Sequence, residues 1–222
     1  MRPHRQQHFA RGFTLVELLA VIAVVALLTL LAARALGTAL EQARLTRCAA
    51  QLTNLGQALL LYAGDHGARL PPFAAADQTW DKQILPYADN ATALLACPAD
   101  PHLDVAPGQP PPRSYAVNGG QRYVLDLSYP FGSFDGQPPL HLSQLGSRSG
   151  PVILIGERPG ESAANRGWFG EFPFSTLDQL PGLVHRKRAG CNYLFHNGSV
   201  RYLSAADASL SAENDYWYTP TP

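Results

Sequence analysis

Glu17 is the residue of this chain best placed to do chemistry, because it lies where a charge is costly. The stretch from Phe13 to Ala33 is apolar except for Thr14, Glu17 and Thr29. A carboxylate near the start of a membrane-length apolar run is expensive in lipid, and such a residue marks a function whose partner should be named. The obvious partner is a cation that a cut after Gly12 would create, the α-amino group of Phe13. Other candidate sets are weaker. His185, Asn192 and His196 stand near Cys191, but their spacing fits no metal-ligand motif. Asp100, His102 and Asp104 offer loop ligands without the spacing of a calcium loop. Asp65-His66 reads as a helix exit, and Tyr216-Trp217-Tyr218 as a docked or packed segment. The sequence shows no Ser-His-Asp set, phosphate-binding glycine loop or paired carboxylates in a recognisable context. The expectation is no catalytic residue, no cofactor and no metal.

The elements that would position Glu17 follow from composition and periodicity. Of 222 residues, 17 are acidic and 17 basic, so charge gives no reason to expect nucleic acid as a partner. The 19 prolines and 19 glycines predict a loop-rich second half with short strands. Leu18 to Ala33 has only Thr29 polar, and adding Phe13 to Val16 approaches the roughly 20 residues that cross a bilayer. The main alternative is a secretory signal peptide, since Ala33-Arg34-Ala35 loosely resembles a small-x-small cleavage site. The length of the apolar run, Glu17 at its start and periodicity beyond Ala35 weigh against it. Arg2, Arg5 and Arg11 form a basic leader that would stay cytoplasmic and send the rest outside.

Helical periodicity continues past the apolar run. Cys48, Leu52, Leu55, Leu59 and Tyr62 recur at spacings of 4, 3, 4 and 3, with Glu41, Arg44, Arg47 and Gln51 as polar positions around them. One helix from about Thr14 to about Ala63 is predicted, ended by Gly64, Gly67 and Pro71-Pro72. A short helix is predicted over Trp80–Tyr87, a linker over Ala106–Pro112, and strands over Arg122–Leu127, Val152–Gly156, Cys191–His196 and Ser199–Leu203. Asn197-Gly198 between the last two predicts a hairpin with a type I′ turn. The expected class is α+β, a long N-terminal helix, transmembrane then amphipathic, packed on a small antiparallel β-sheet.

Gly12-Phe13-Thr14-Leu15-Val16-Glu17, followed by Leu18-Leu19-Ala20-Val21-Ile22-Ala23, resembles the processing site of type IV prepilins and type II secretion pseudopilins. Farther on, Cys48, the run Leu52–Leu59, Tyr62-Ala63 and Asp65 are similar to a large bacterial pseudopilin-like group with a C-terminal His-x9-Asp-Gly motif. Leu95–Asp100 with Cys97, Ser114–Asn118 and Val152–Glu157 look like that group's later landmarks. The terminal motif departs from the pattern: eleven residues separate His185 from Asn197-Gly198. Arg34 also stands where many pilins have a kinking proline.

The resemblance implies a pilin-like fold in three parts: a leader over 1–12, a transmembrane and polymerisation helix over 13–35, and a periplasmic domain over 36–222. It implies cleavage by a prepilin peptidase between Gly12 and Phe13, N-methylation of Phe13, and assembly through Glu17. Cys48 and Cys97 are the implied disulfide pair, three reduced thiols being the alternative. The implied protein is a structural pseudopilin subunit, not an enzyme, in the bacterial inner membrane with its N-terminus cytoplasmic. Its expected partners are other pilin or pseudopilin subunits, the inner-membrane secretion or pilus assembly machinery, and membrane lipid. The competing readings are a singly anchored extracytoplasmic binding domain exported by the prepilin route, and an anchored enzyme.

Overall fold

The computed structural model describes residues 13–72, 74–75, 78–100, 113–118, 127–128, 130–132, 138–146, 150–157, 190–204, 207 and 219–220. The chain divides into two compact units, Met1–Gln42 and Ala43–Pro222. Helix α1, Leu15–Asp65, contributes residues to both.

In the first unit the helix has no burial to report. Every large hydrophobic from Phe13 to Leu40 is at least 52% exposed. In water such a surface would associate or aggregate. The helix is long and apolar enough to cross a membrane, which would supply the missing environment.

In the second unit the remainder of α1 is amphipathic. Leu45, Cys48, Gln51, Leu52, Leu55, Ala58, Leu59, Tyr62 and Ala63 are its buried positions. The apolar face predicted from Cys48 to Tyr62 is therefore the packed one, and Arg44 and Arg47 are exposed. Gln51, expected among the polar positions outside that face, is instead buried. Its Nε2 donates to the carbonyls of Ala93 and Ala96, at 3.0 and 3.1 Å, so the amide ties the helix to the 3-10 turn Thr92–Leu95 and to the residue directly after it. The helix closes with a bond from Ala68 N to the Ala63 carbonyl across Gly67, 2.7 Å long, which satisfies a carbonyl of the last turn.

The sheet under this helix has four strands in the order β3-β5-β6-β7, all antiparallel: β3 Tyr115–Val117, β5 Ile153–Glu157, β6 Gly190–Phe195 and β7 Val200–Ser204. Two small ribbons pair β1 Ala74–Ala75 with β2 Gln78–Thr79, and β4 Leu127–Ser128 with β8 Thr219–Pro220. The long helix and small antiparallel sheet are the α+β arrangement expected. Strands β3, β5 and β6 are buried at every position, so both sheet faces are covered there. Leu52, Leu55 and Leu59 join Trp80, Tyr115, Phe131, Ile155 and Phe195 in one core. Gly56 lets the helix approach the sheet closely: a Cβ there would lie 3.1 Å from the Leu194 methyls.

Three local expectations need correction. The predicted Trp80–Tyr87 helix is an α-turn, α2 Trp80–Ile84, followed by a 3-10 turn, Leu85–Ala88. Pro86 lacks the N–H that would continue an α-helix at that point. The Asn197-Gly198 hairpin does not carry a type I′ turn, which needs positive φ at both central residues. Only Gly198 has it, at 79°, and its N–H donates to the Phe195 carbonyl at 2.9 Å. His196-Asn197-Gly198 is thus a three-residue loop ending in a left-handed residue. Asn197 Oδ1 accepts from Ser199 N and Oγ, at 3.1 and 2.7 Å, which holds the loop in place. Strand β3 was not expected as a strand. Of the predicted strand Arg122–Leu127, only Leu127 is among the described residues. Helix α3, Leu142–Gly146, completes the described elements.

Candidate functional site

The N-terminal site is built on one helical turn. Thr14 precedes the first helical residue, and its carbonyl accepts from Leu18 N at 3.2 Å. Its Oγ1 accepts from Glu17 N at 3.3 Å, while Glu17 Oε2 accepts from Thr14 N at 2.9 Å and from Thr14 Oγ1 at 2.8 Å. This is a capping box: a threonine N-cap and a glutamate three residues on satisfy each other's amides at the helix start. It also places the carboxylate at the positive end of the helix. Phe13, directly before the cap, is 81% exposed. The sequence carried the signal in Thr-x-x-Glu, yet cost in lipid alone pointed to Glu17. Gly12 lies outside the described residues.

A second polar constellation lies inside the globular unit. Cys48 and Cys97 are joined by a disulfide with Cα atoms 5.2 Å apart, linking α1 to the loop after Leu95. The phenol of Tyr115 donates to Gln51 Oε1 at 2.8 Å and to the Cys48 carbonyl at 3.3 Å. Glu157, at the end of β5, is fully buried. Its Oε2 accepts from Asn192 N at 2.7 Å and its Oε1 from Asn192 Nδ2 at 2.8 Å. Asn192 Nδ2 also reaches the Leu45 carbonyl at 3.3 Å. Burial pushes the Tyr115 phenol well above its ordinary value, with the charges of Glu157 and Asp100 adding to the effect. The Tyr193 phenol is raised well above it too, first by burial and then by Cys191 and Glu157.

The other sequence candidates take structural places. His196 Nδ1 accepts from Val152 N at 3.0 Å and its own N donates to the Val152 carbonyl at 2.9 Å, so this histidine fastens the hairpin to the start of β5. His66 stacks on Tyr62 with ring centroids 3.8 Å apart, and Asp65 accepts from Tyr87 at 3.0 Å. Asp100 accepts from Ser114 Oγ at 2.7 Å. His102, Asp104, His185 and Tyr216-Trp217-Tyr218 lie outside the described residues. Neither the Glu157–Asn192 pair nor the place of Gln51 was legible in sequence, because each depends on which loops the sheet brings together.

Residues 8–33 match the prokaryotic N-terminal methylation motif. No curated protein and no solved structure matches the chain. The chain therefore carries a prepilin-type N-terminus, which supports an exported protein of the type IV prepilin or pseudopilin kind. Such a motif implies processing by a prepilin peptidase and assembly with other pilins. Together with the single long apolar helix among the described residues, it fits a single-pass membrane anchor.

Proposed function

We propose that this protein is a pseudopilin subunit whose job is structural. A prepilin peptidase cuts between Gly12 and Phe13, Phe13 is N-methylated, and the chain stays in the inner membrane by residues 13–35. The N-terminus faces the cytoplasm and residues 36–222 the periplasm. Subunits then join side by side into a type II secretion or type IV pilus-like filament, recruited by the inner-membrane assembly machinery. The observation that carries this reading is the methylation motif lying on a helix start where Glu17 stands at the head of an unburied apolar face. Freed by cleavage, the Phe13 amine of an incoming subunit brings a positive charge into lipid. Glu17 of its neighbour neutralises that charge, which favours addition and sets axial register.

Glu17→Gln is the test, because glutamine also serves in a capping box. The helix start is kept and only the charge is lost. Crosslinking between subunits in the membrane, at matched protein levels, is expected to fall to background in the variant. Wild-type crosslinking by Glu17→Gln would overturn the assembly role and favour a singly anchored binding domain.

A further inference from the structure

We propose that in its reduced form the interior constellation of Cys48, Cys97 and Glu157 is a binding site for a thiophilic divalent cation such as zinc. The two sulfurs and a Glu157 carboxylate oxygen lie within 4.8 Å of one another, and all three residues are buried. They come from three separate segments: α1, the loop after Leu95, and β5. The Cys97 sulfur stands 3.8 Å from Glu157 Oε1. As a disulfide this sulfur has no proton to donate, so its contact with the Glu157 oxygen is not a hydrogen bond in the oxidised form. For two ligands on one tetrahedral zinc, with Zn–S about 2.3 Å and Zn–O about 2.0 Å, the S···O distance is about 3.5 Å. The 3.8 Å from the Cys97 sulfur to Glu157 Oε1 is slightly longer than that, and reduction, by breaking the S–S bond, frees both sulfurs to move to the spacing of two thiolates on one cation. Asn192, donating to both carboxylate oxygens, fixes the orientation of Glu157 as an outer partner does for a metal ligand.

The chemistry balances without an unnamed reactant. Binding displaces one proton from each thiol, giving two thiolates on the cation. Later one of these thiolates attacks an external disulfide and releases its first thiol, the second thiolate attacks the mixed disulfide to form the Cys48–Cys97 bond and release the other, and the two released thiolates take up two protons as the cation is freed. Because the site is buried, the cation reaches it as the chain folds or when the reduced domain, no longer clipped by the disulfide, opens locally, and it then clips the domain at the same point. Cys191, also buried but outside the set, takes no part.

The test uses full-length protein in detergent, reduced and kept free of oxygen, titrated with cobalt(II) and then zinc. One equivalent of cobalt with a thiolate-to-cobalt charge-transfer band is expected, displaced by zinc and absent from the oxidised protein. Cys48→Ser and Cys97→Ser should each lose the band, Cys191→Ala should keep it, and Glu157→Gln should bind at least about tenfold more weakly. X-ray absorption on the wild-type zinc form, which needs no variant to fold, should count two sulfurs with oxygen or nitrogen completing the shell. A reduced chain without the band, a band surviving Cys48→Ser or lost with Cys191→Ala, unchanged affinity in folded Glu157→Gln, or any other sulfur count would overturn the site.

Discussion

On the proposed reading Glu17 has two partners at different stages of the chain's life, and they compete for the same oxygens. In the single chain its Oε2 accepts from the amide and hydroxyl of Thr14. Neutralising a neighbour's Phe13 amine requires the carboxylate to turn at least partly from that cap. Thr14→Val should therefore weaken the helix start yet leave the charge available, so crosslinking through the membrane segment should persist where Glu17→Gln abolishes it. Loss of crosslinking in both variants would mean that the cap is needed as well as the charge, and loss in Thr14→Val alone would mean that the cap, not the charge, drives assembly. The interior phenols set a different expectation. Tyr115 and Tyr193 titrate well above the ordinary 10.0 when folded, so the unfolded chain loses those protons first. Their contribution is full below pH 10 and drains away as the pH rises toward the folded values. Denaturant melts of the domain should be level up to about pH 10 and fall beyond it. Tyr115→Phe and Tyr193→Phe should each flatten that fall, and an unchanged slope in the double variant would refute the assignment.

Two devices lock helix α1 to the rest of the domain, and each can be removed. The first is the apolar face. Leu52 and Leu59 are buried in the core, so Leu52→Asp or Leu59→Asp leaves an unpaired charge there and should unfold the domain. Leu55→Ala should cost about 2–5 kcal/mol in urea melts. Native stability in any of these would mean that the helix does not pack there. The second is the Cys48–Cys97 bridge, 49 residues apart in sequence. In the absence of metal, its reduction should cost about 2–4 kcal/mol, read as a shift of the urea midpoint. Helix α1 was legible in the sequence because its two faces repeat over many turns, and long periodic elements declare themselves. The 3-residue strand β3 was not, because Tyr115-Ala116-Val117 becomes a strand only by pairing with Ile155–Glu157, more than thirty residues later. The hairpin was legible as a hairpin, but its turn type was not. Asn-Gly suits a type I′ turn by propensity, yet the His196 and Val152 bonds anchor the loop and leave positive φ to Gly198 alone.

At the scale of the molecule, the described residues of one unit form an exposed apolar helix and those of the other a packed α+β domain, with the change falling between Gln42 and Ala43. A chain beginning at Ala43 keeps every buried residue of α1 and discards the exposed apolar run. It should be soluble and fold without detergent; aggregation with molten near-ultraviolet dichroism would show that the domain depends on its membrane segment. What the exposed run is for depends on how its N-terminus is made, and that is where the account is most directly open to test. Mass spectrometry of the protein purified from membranes should find a chain of 210 residues, the 222 less the first 12, beginning at Phe13 with one added N-methyl group. A chain still beginning at Met1, or one beginning at Leu36 after a signal-peptidase cut, would contradict it.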